Sequence, residues 1–497
     1  FTNFEYNFIN LINLYLSHHN QHNPHDKIVC RIAGGWVRDK ILDIPSNDID
    51  IAIENKNVSG QLFLQNLVEF YKQDGNAHIA AFNSIHNTAF KFKQVFNTGI
   101  HATKVNPEKS KHLETAMATI FDHSIDFVSL RKEVYTDDNS RIPTIEVGTP
   151  MEDCLRRDCT INSLFYNINT GYLEDLSNKG LMDLQNGIIR TPLEPMKTFT
   201  DDPLRIFRLF RFKNKLGFQY SQDLIDCFQE NHDILVDFVY KKVSRERVAI
   251  EVNKILNTNN VKICKNFMKD LNHFGFARFF YSNNKVSFED ELKTMMNESK
   301  GKVVNQKKKM LADKIILHQR TLDYFEHDLP KQVDFLVNTI EQSKNIKPYK
   351  LDMSLIVHAI CLYPLLNLRL QYHDQHKEKN LSTISKDMEL ALLSNGISKA
   401  KVRQIIALAE LIDLAISKTM TFNVEEDNNF TSRAELCIFV KEKMVDFEIY
   451  KAFRDILKIF YFDKYTNMIH NLITHKIIKY EDDDLDRLWW KENLKLL

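Results

Sequence analysis

The chain has 497 residues, and its 66 Lys and Arg residues balance its 66 Asp and Glu residues. This length predicts two to four domains or modules, and the zero net charge means that any nucleic-acid partner must bind a local basic patch. The seven cysteines are an odd set without a Cys-x-x-Cys motif, which favours a reducing compartment and disfavours a zinc site. No apolar run approaches the ~18 residues of a membrane span.

The first 165 residues have the mixed pattern of helices and strands. Apolar spacing over residues 1–20 predicts an amphipathic helix, and three β-branched runs predict strands at Ile28–Ile32, Ile49–Ile53 and Ile125–Leu130. Beyond about residue 197 the apolar positions recur at intervals of three and four, which is typical of helices. We therefore expect an α+β N-terminal domain with a mixed β-sheet, followed by an all-α remainder.

A pair of glycines closes the first predicted strand. Gly34 and Gly35 let a phosphate approach the backbone, and a helix that begins there offers free N–H groups to an anion. Asp48 and Asp50 follow on a predicted strand, where residues two apart share a face. Two adjacent carboxylates are costly without a cation between them. Asp-x-Asp alone is more typical of a hairpin with two solvated aspartates, and the Gly-Gly-x-x-Arg-Asp element before it is what favours a metal site.

The Gly-Gly-x-x-Arg-Asp element, followed shortly by Asp-x-Asp, resembles the nucleotidyltransferase superfamily that includes DNA polymerase β, and more closely its CCA-adding branch. The resemblance implies two Mg²⁺ ions on Asp48 and Asp50, which activate a hydroxyl and stabilise the leaving pyrophosphate. It also implies a third catalytic carboxylate on a neighbouring strand, for which Asp126 is the candidate. Nucleotide binding is implied for the glycine pair and for the arginine after it, which are Gly34, Gly35 and Arg38.

Residues 156–162 resemble the RRDxTxN element of the same family. We expect a helix here, on which Asp158 and Asn162 lie four residues apart and share a face. Their acceptor and donor groups suit the hydroxyls of a ribose, and the guanidinium of Arg157 suits a triphosphate. A helix start with ordinary surface ion pairs is the alternative.

Residues 201–205 match the EDxxR element of the family, with Asp201 in place of its Glu. Asp202 and Arg205 are three residues apart on a predicted helix that has Pro203 in its first turn. Cytosine and adenine each present an amino donor beside a ring-nitrogen acceptor, which Asp202 and Arg205 would match. Uracil and guanine present the reverse pattern and would be rejected. Arg208 continues the same face and would reach phosphates or tRNA.

The resemblance covers residues 27–260 and implies addition of CCA to the 3′ end of tRNA from CTP and ATP. The segment at 106–116 resembles the eukaryotic enzymes, and the polar loop at 131–150 lies where relatives have a flexible loop that is linked to the switch from C to A addition. We expect a catalytic head, a nucleotide-selecting neck, a helical body and a tRNA-binding helical tail, at 1–165, 166–265, 266–400 and 401–497.

Other functions remain open. Within the class these are an enzyme that adds only A and a poly(A) polymerase of the bacterial type, and from another class an inactive RNA-binding relative. His358 and the His373-Asp374 pair hint at a metal-dependent phosphohydrolase, but a core histidine and a surface loop are the better interpretation. We expect an intracellular protein of the cytoplasm, nucleus or mitochondrion, without an obligatory protein partner. Because the chain begins at Phe1, a removed leader also stays open.

Overall fold

The protein is described from a computed structural model. Residues whose positions are described are 1–46, 48–73, 77–96, 101–103, 115–134, 144–280, 329–342, 352–361 and 397–421. The chain divides into two compact units, Phe1–Val243 and Ser244–Leu497.

A seven-stranded mixed sheet forms the framework of the first unit, in the order β3-β4-β5-β2-β1-β8-β9. Its strands are β1 (Val29–Ala33), β2 (Ile49–Glu54), β3 (His101–Thr103), β4 (Thr115–Ile120), β5 (His123–Ser129), β8 (Phe165–Asn167) and β9 (Leu173–Glu174). Only β2 and β5 pair in parallel, and the other neighbours are antiparallel. The three strands predicted from β-branched runs are β1, β2 and β5, which lie side by side in this sheet.

Two smaller strand pairs accompany the sheet. The antiparallel hairpin consists of β6 (Arg131–Val134) and β7 (Thr144–Val147), and the parallel pair consists of β10 (Ile188–Ile189) and β11 (Gln219–Tyr220). A Cβ on Gly148 would lie 2.7 Å from the backbone carbon of Arg131, so only glycine lets the end of the hairpin come this close. The predicted loop at 131–150 is therefore closed at its base by a hairpin, and residues 135–143 lie outside the description.

Eleven helices are described in the first unit. They are α1 (Asn3–His22), α2 (Gly35–Ile41), α3 (Gly60–Lys72), α4 (Ala77–His86), α5 (Phe92–Val95), α6 (Pro150–Leu155), α7 (Gly180–Asn186), α8 (Pro195–Asp201), α9 (Leu204–Leu216), α10 (Gln222–Glu230) and α11 (His232–Lys242). Helix α3 packs on the sheet, where the rings of Phe63 and Phe127 stack with centroids 5.5 Å apart. Such aromatic contacts bury large apolar areas and fix the helix on the strands.

The N-terminal helix α1 is held by polar contacts as well as by its apolar face. Thr2 and Glu5 form a capping box at its start, which satisfies backbone donors that the first turn leaves open. Glu5 is only 3% exposed, and its carboxylate accepts from Trp36 Nε1 at 3.0 Å and Lys40 Nζ at 2.7 Å. Since Trp36 and Lys40 belong to α2, this buried carboxylate fixes α2 against α1.

The described part of the second unit is helical. It contains α12 (Arg245–Leu256), α13 (Val261–His273), α14 (Leu329–Gln342), α15 (Lys399–Thr421) and a helical segment at 353–361. None of the helices described in the chain is long and apolar enough to cross a membrane. The predicted fold class, an α+β N-terminal part followed by helices, is confirmed.

Candidate active site

Asp50 and Asp126 are direct neighbours on the parallel strands β2 and β5. Asp48 immediately precedes β2, and the alternate residues Ile49, Ile51 and Ile53 are buried on the other face of that strand. Alternation along the strand thus puts the acids on one side, as the sequence predicts. The structure brings the candidate Asp126 beside Asp50.

The three carboxylates repel one another. Partial desolvation raises the pKa of Asp50 to about 6, and the negative charges of Asp48 and Asp126 contribute to this rise. Desolvation and the charge of Asp48 also raise the pKa of Asp126. Like charges held this close in a partly shielded site disfavour ionisation.

The glycine turn between β1 and α2 lies against an arginine. Gly34 has a φ of +74°, and a Cβ there would lie 2.8 Å from Arg157 Nη1. Gly35 needs no such freedom, because its Cβ would lie 3.6 Å from Arg38 Nη2, an ordinary contact. Gly34 therefore allows both the left-handed turn and the close approach of the Arg157 guanidinium.

The residues predicted to bind ribose form a buried network. Asn162 donates to Asp158 Oδ1 at 3.0 Å and accepts a hydrogen bond from Arg38 Nη1. Arg208 donates to Asp158 Oδ2 from Nε at 2.7 Å and from Nη2 at 2.6 Å. Burial alone would raise the pKa of Asp158, but Arg208 and the hydrogen bond from Asn162 hold it well below its usual range. Asp158 is thus a buried anion that links α9 to the segment carrying Asn162.

The prediction of a helix over residues 156–162 is wrong. Helix α6 ends at Leu155, and the helical structure within residues 156–162 is limited to a 3₁₀ turn at Thr160–Asn162. Asp158 Oδ1 accepts from the backbone N–H of Cys159 at 2.9 Å, a local contact that competes with helical hydrogen bonding. Asp158 and Asn162 still meet, through a direct side-chain hydrogen bond instead of a shared helix face.

Asp153, which the sequence interpretation missed, holds two arginines. Its Oδ1 accepts from Arg156 Nε at 2.9 Å, and its Oδ2 accepts from Arg157 Nη2 at 2.8 Å. Burial raises the pKa of Asp153, but the charges of Arg157 and Arg156 outweigh burial and lower the pKa to about 2. The i,i+3 and i,i+4 spacing after Asp153 was the signal that could have found it.

Glu133 on β6 is the second carboxylate that sequence reasoning missed. Its Oε2 accepts from Arg205 Nη2 at 3.3 Å, and its Oε1 lies 3.4 Å from Arg156 Nη1. Arg205 also donates to the carbonyl oxygen of Thr198 at 3.3 Å and is 7% exposed. No local sequence pattern indicates this pairing, because Glu133 and Arg205 are far apart in the chain.

Asp202 lies at the joint between α8 and α9. It is the C-cap residue of α8, and its Oδ1 accepts from the backbone N–H of Leu204 at 3.1 Å. Pro203 is the N-cap residue of α9, and Arg205 is in the first turn. Asp202 has an extended backbone and lies outside α9, so the prediction that Asp202 and Arg205 lie on one helix is wrong. The two residues are still close, because the backbone N–H of Arg205 donates to the Asp202 carbonyl oxygen at 3.1 Å.

The acidic side chains fit a divalent cation that a nucleotide completes. Among the described residues, no group of three or more His, Cys, Asp or Glu side chains has the arrangement of a complete metal site. However, Mg²⁺ is usually held by one or two carboxylates together with substrate phosphates. The mutual repulsion of Asp50, Asp48 and Asp126 is the uncompensated charge that a cation relieves.

Comparison with known proteins places this site in a family. The sequence model of the poly(A) polymerase head domain matches residues 30–190. The mitochondrial CCA tRNA nucleotidyltransferase of Saccharomyces cerevisiae is 33% identical over 445 residues, which cover 88% of this chain and 74% of that protein. The chain belongs to the CCA tRNA nucleotidyltransferase family.

One further sequence relative and one solved structure are similar to this chain. The mitochondrial CCA tRNA nucleotidyltransferase of Candida glabrata is 43% identical over 249 residues, which cover 50% of this chain and 43% of that protein. A solved tRNA-processing enzyme in an apo form has a TM-score of 0.51 and 14% identity, covering 99% of this chain and 97% of that chain. At this identity the solved structure supports the fold alone.

Some expectations for this family member fall outside the described residues. They are the loop residues 135–143, most of the segment 106–116 and the His373-Asp374 pair. His358 is described and is 1% exposed. Burial lowers its pKa to about 3, so it is the core histidine that the sequence favours.

Proposed function

We propose that the chain adds CCA to the 3′ end of tRNA, using CTP and ATP and releasing pyrophosphate. The observation that carries this proposal is the register of β2 and β5, which places Asp50 beside Asp126 next to Asp48. Its relatives of the same family, named CCA tRNA nucleotidyltransferases, support the reaction and the substrates.

Asp48 and Asp50 are the residues proposed to hold two Mg²⁺ ions, and Asp126 is the proposed third carboxylate. When bound, such ions lower the pKa of an attacking hydroxyl and neutralise the charge that develops on the leaving pyrophosphate. The protein's own part is to position the nucleotide. The guanidinium of Arg157 lies against the glycine turn at Gly34, and it is the group proposed to bind the triphosphate there.

The ribose side of the site is proposed to involve the network around Asp158. Asn162 and Arg38 are joined by a hydrogen bond, and Asp158 already accepts from Asn162 and Arg208. A ribose hydroxyl would therefore share Asp158 with Arg208, and nucleotide contact by Arg208 or Arg38 would rearrange this network. Binding of the sugar would then change the hydrogen bonds that the buried Asp158 carboxylate accepts.

Base selection is assigned in this proposal to Asp202 and Arg205. Arg205 donates to Thr198 and Glu133, and a guanidinium has further N–H donors for a ring nitrogen. The contacts with Thr198 and Glu133 fix its plane before a nucleotide arrives, which reduces the entropy lost on binding. A bidentate contact of this kind discriminates between bases by about 1–3 kcal/mol in protein–DNA complexes.

A poly(A) polymerase is the alternative that one observation favours, because the matching sequence model describes the head domain of such enzymes. The matched residues 30–190 contain the acids and Arg157 but end before Asp202 and Arg205. The head alone therefore does not separate the two reactions.

Product lengths from a tRNA transcript that lacks its 3′ CCA test the proposal. The purified protein and Mg²⁺ are given CTP alone, ATP alone, both nucleotides, or UTP or GTP. Two additions with CTP alone, and a third only when ATP is also present, support CCA synthesis. Addition only to a transcript that ends in CC indicates an A-adding enzyme, long tails with ATP indicate a poly(A) polymerase, and no addition indicates an inactive relative.

An intracellular location is also proposed, because the two relatives compared above are named mitochondrial enzymes. Cytoplasm, nucleus and mitochondrion remain alternatives. The tail at 401–497 is proposed to bind the tRNA by its shape and backbone, which is the usual way to recognise an RNA duplex.

A further inference from the structure

The ring of Phe212 lies among three guanidiniums, which we call the arginine cluster. Phe212 belongs to α9, and the Cζ atoms of Arg38, Arg208 and Arg211 lie 5.3, 5.5 and 4.1 Å from the centre of its ring. Arg208 and Arg211 precede it on the same helix, whereas Arg38 belongs to α2. The face of an aromatic ring carries negative potential and attracts a cation within about 6 Å of its centre. One ring therefore gathers positive charges from two helices.

Two of these guanidiniums bind carboxylates at the same time. Arg38 pairs with Asp39 at 2.6 Å, and Arg208 pairs with Asp158 at 2.6 Å. A guanidinium is planar, so its face can contact an aromatic ring while its N–H groups donate to oxygen atoms in its own plane. Contact with the Phe212 ring therefore does not stop these arginines from binding an anion.

The arginine cluster is continuous with the proposed nucleotide site. Arg38 Nη2 lies 3.6 Å from the position of a Cβ on Gly35, in the glycine turn before α2. Arg38 Nη1 donates to Asn162, and Asn162 donates to Asp158 at 3.0 Å. Direct contacts thus connect the cluster both to the glycine turn and to the network proposed to bind the ribose.

The cluster is open to solvent, although the ring at its centre is not. Phe212 is 6% exposed, whereas the side chain of Arg208 is 35% exposed and Arg211 is partly exposed. An anion can therefore reach the guanidiniums without displacing the ring. Like charges around one ring repel one another, and the attraction of each charge to the ring offsets part of this repulsion before an anion arrives.

We propose that Phe212 is a positioning residue, which holds the guanidiniums of the arginine cluster together for a phosphate. With the ring in place, the arginines are already gathered, so less free energy is lost in ordering them on binding. The inference rests on the proposed function, in which Arg38 and Arg208 bind the nucleotide. That function brings phosphate from two sources, the triphosphate of the nucleotide and the backbone of the RNA.

The test replaces Phe212 in the full chain with mono-, di- and trifluorophenylalanine. Each fluorine withdraws electrons from the ring face and weakens its attraction for cations, while the size of the ring hardly changes. One arm measures the dissociation constants of CTP and of tripolyphosphate with Mg²⁺, and the other arm measures that of a tRNA transcript that lacks CCA. Thermal melting without ligand is the folding readout.

Phe92 is the matched control for the same substitutions. Its ring also faces a cation, since Lys72 Nζ lies 5.7 Å from the ring centre, but both residues are outside the arginine cluster. Fluorination of Phe92 is expected to change the dissociation constants by less than about twofold, because the cation–π contact that it weakens holds no residue of the proposed site.

At Phe212, the dissociation constant in at least one arm is expected to rise with each fluorine, reaching about threefold to tenfold with trifluorophenylalanine. A rise for CTP and tripolyphosphate assigns the phosphate to the nucleotide, and a rise for tRNA alone assigns it to the RNA. The melting temperature is expected to stay near that of the wild type. Phe212→Leu, which keeps an apolar side chain but removes the ring, should weaken the same ligand about tenfold or more.

Dissociation constants that do not depend on the number of fluorines would overturn the proposal, and a lower melting temperature of Phe212→Leu would then show that the ring only packs. Tighter binding with added fluorine would also overturn it, because the ring would then compete with the phosphate. The proposed function fails separately, if the wild type adds no nucleotide to tRNA. In that case, a graded loss of tripolyphosphate binding would still support the role of Phe212.

Discussion

Asp50 occupies an electrostatically unfavourable position, beside Asp126 in the sheet and within range of the charge of Asp48. Residues that bind a cation are commonly strained in this way before the cation arrives, and their neutralisation removes function without removing stability. Arg157 and Arg131 offset the repulsion only in part. The position is therefore best explained by a ligand, and this can be tested on the single side chain.

Asp50→Asn is expected to reduce nucleotide addition on the order of a thousandfold, because the proposed cation loses a ligand. The melting temperature is expected to stay equal or rise, since one of three repelling charges is gone. Asp43→Asn, in the exposed turn after α2, is the control and should keep full activity. Near-normal turnover of Asp50→Asn, measured by addition to tRNA, would contradict the assignment of the metal site.

The two glycines before α2 are expected to respond differently to alanine. At Gly34, the positive φ and the 2.8 Å approach to Arg157 should cost about 1–3 kcal/mol in the free energy of unfolding. At Gly35, the added Cβ finds ordinary space, and reduced freedom of the unfolded chain should make the change neutral or stabilising by about 0.4–1 kcal/mol. Urea unfolding measures both, and equal losses in the two variants would argue against the strained turn.

The sequence predicts the acids of the sheet better than the carboxylates that support the arginines. Asp48 and Asp50 are predicted because alternation along one strand is enough to place both on one face. The prediction of Asp126 needs the resemblance to a family, because its position beside Asp50 is set by the parallel pairing of β5 with β2. Glu133 could not be predicted, because its contact with Arg205 joins two elements whose packing no local pattern encodes.

At the scale of elements, α6 and the hairpin of β6 and β7 are tied together by Asp153. Its Oδ1 accepts from the backbone N–H of Arg131 on β6, while both oxygens accept from the arginines after α6. The helix that the sequence predicts over 156–162 does not form, because α6 ends at Leu155 and Asp158 and Asn162 use their side chains in local contacts. These contacts turn the chain so that Arg157 reaches the glycine turn of β1 and α2.

Asp153→Asn is expected to lower the free energy of unfolding by about 3–5 kcal/mol at neutral pH, because it removes the buried charge that pairs with Arg156 and Arg157 and leaves Arg156 with its longer ion pair to Glu133. Asp237→Asn is the matched control, since Asp237 forms an exposed i,i+4 pair with Lys241 that contributes about 0.5 kcal/mol or less. Chemical denaturation of the three proteins measures the difference. Equal stability of Asp153→Asn and the wild type would contradict the role of this carboxylate.

The same carboxylate predicts a pH dependence. The pKa of Asp153 is lowered to about 2 in the folded protein, below the value of about 3.9 in an unfolded chain. Its contribution to stability is therefore complete above about pH 4 and is lost as the pH falls through about 2. The wild type should lose stability over this window more steeply than Asp153→Asn does, when both are measured by denaturation at each pH.

At the scale of the whole molecule, the α+β part and the helical part are both predicted by their apolar spacing, because periods of two and of three to four are local properties. The domain boundaries at 165, 265 and 400 stay predictions. Strand β8 begins at Phe165, β9 follows it, and both still belong to the seven-stranded sheet. No change in composition marks their end. The pairing of strands that are distant in sequence depends on tertiary packing, which periodicity does not encode.

The measurement that tests the central claim most directly is the sequence of the 3′ ends after incubation with all four nucleoside triphosphates at equal concentration. The substrate is a tRNA transcript without CCA, so the protein alone selects which of the four bases is added. We expect products that end in CCA and stop there, because Asp202 and Arg205 are proposed to accept cytosine and adenine and to reject uracil and guanine. Mixed 3′ ends, long A tails or unextended transcripts would contradict the proposal that this chain synthesises CCA.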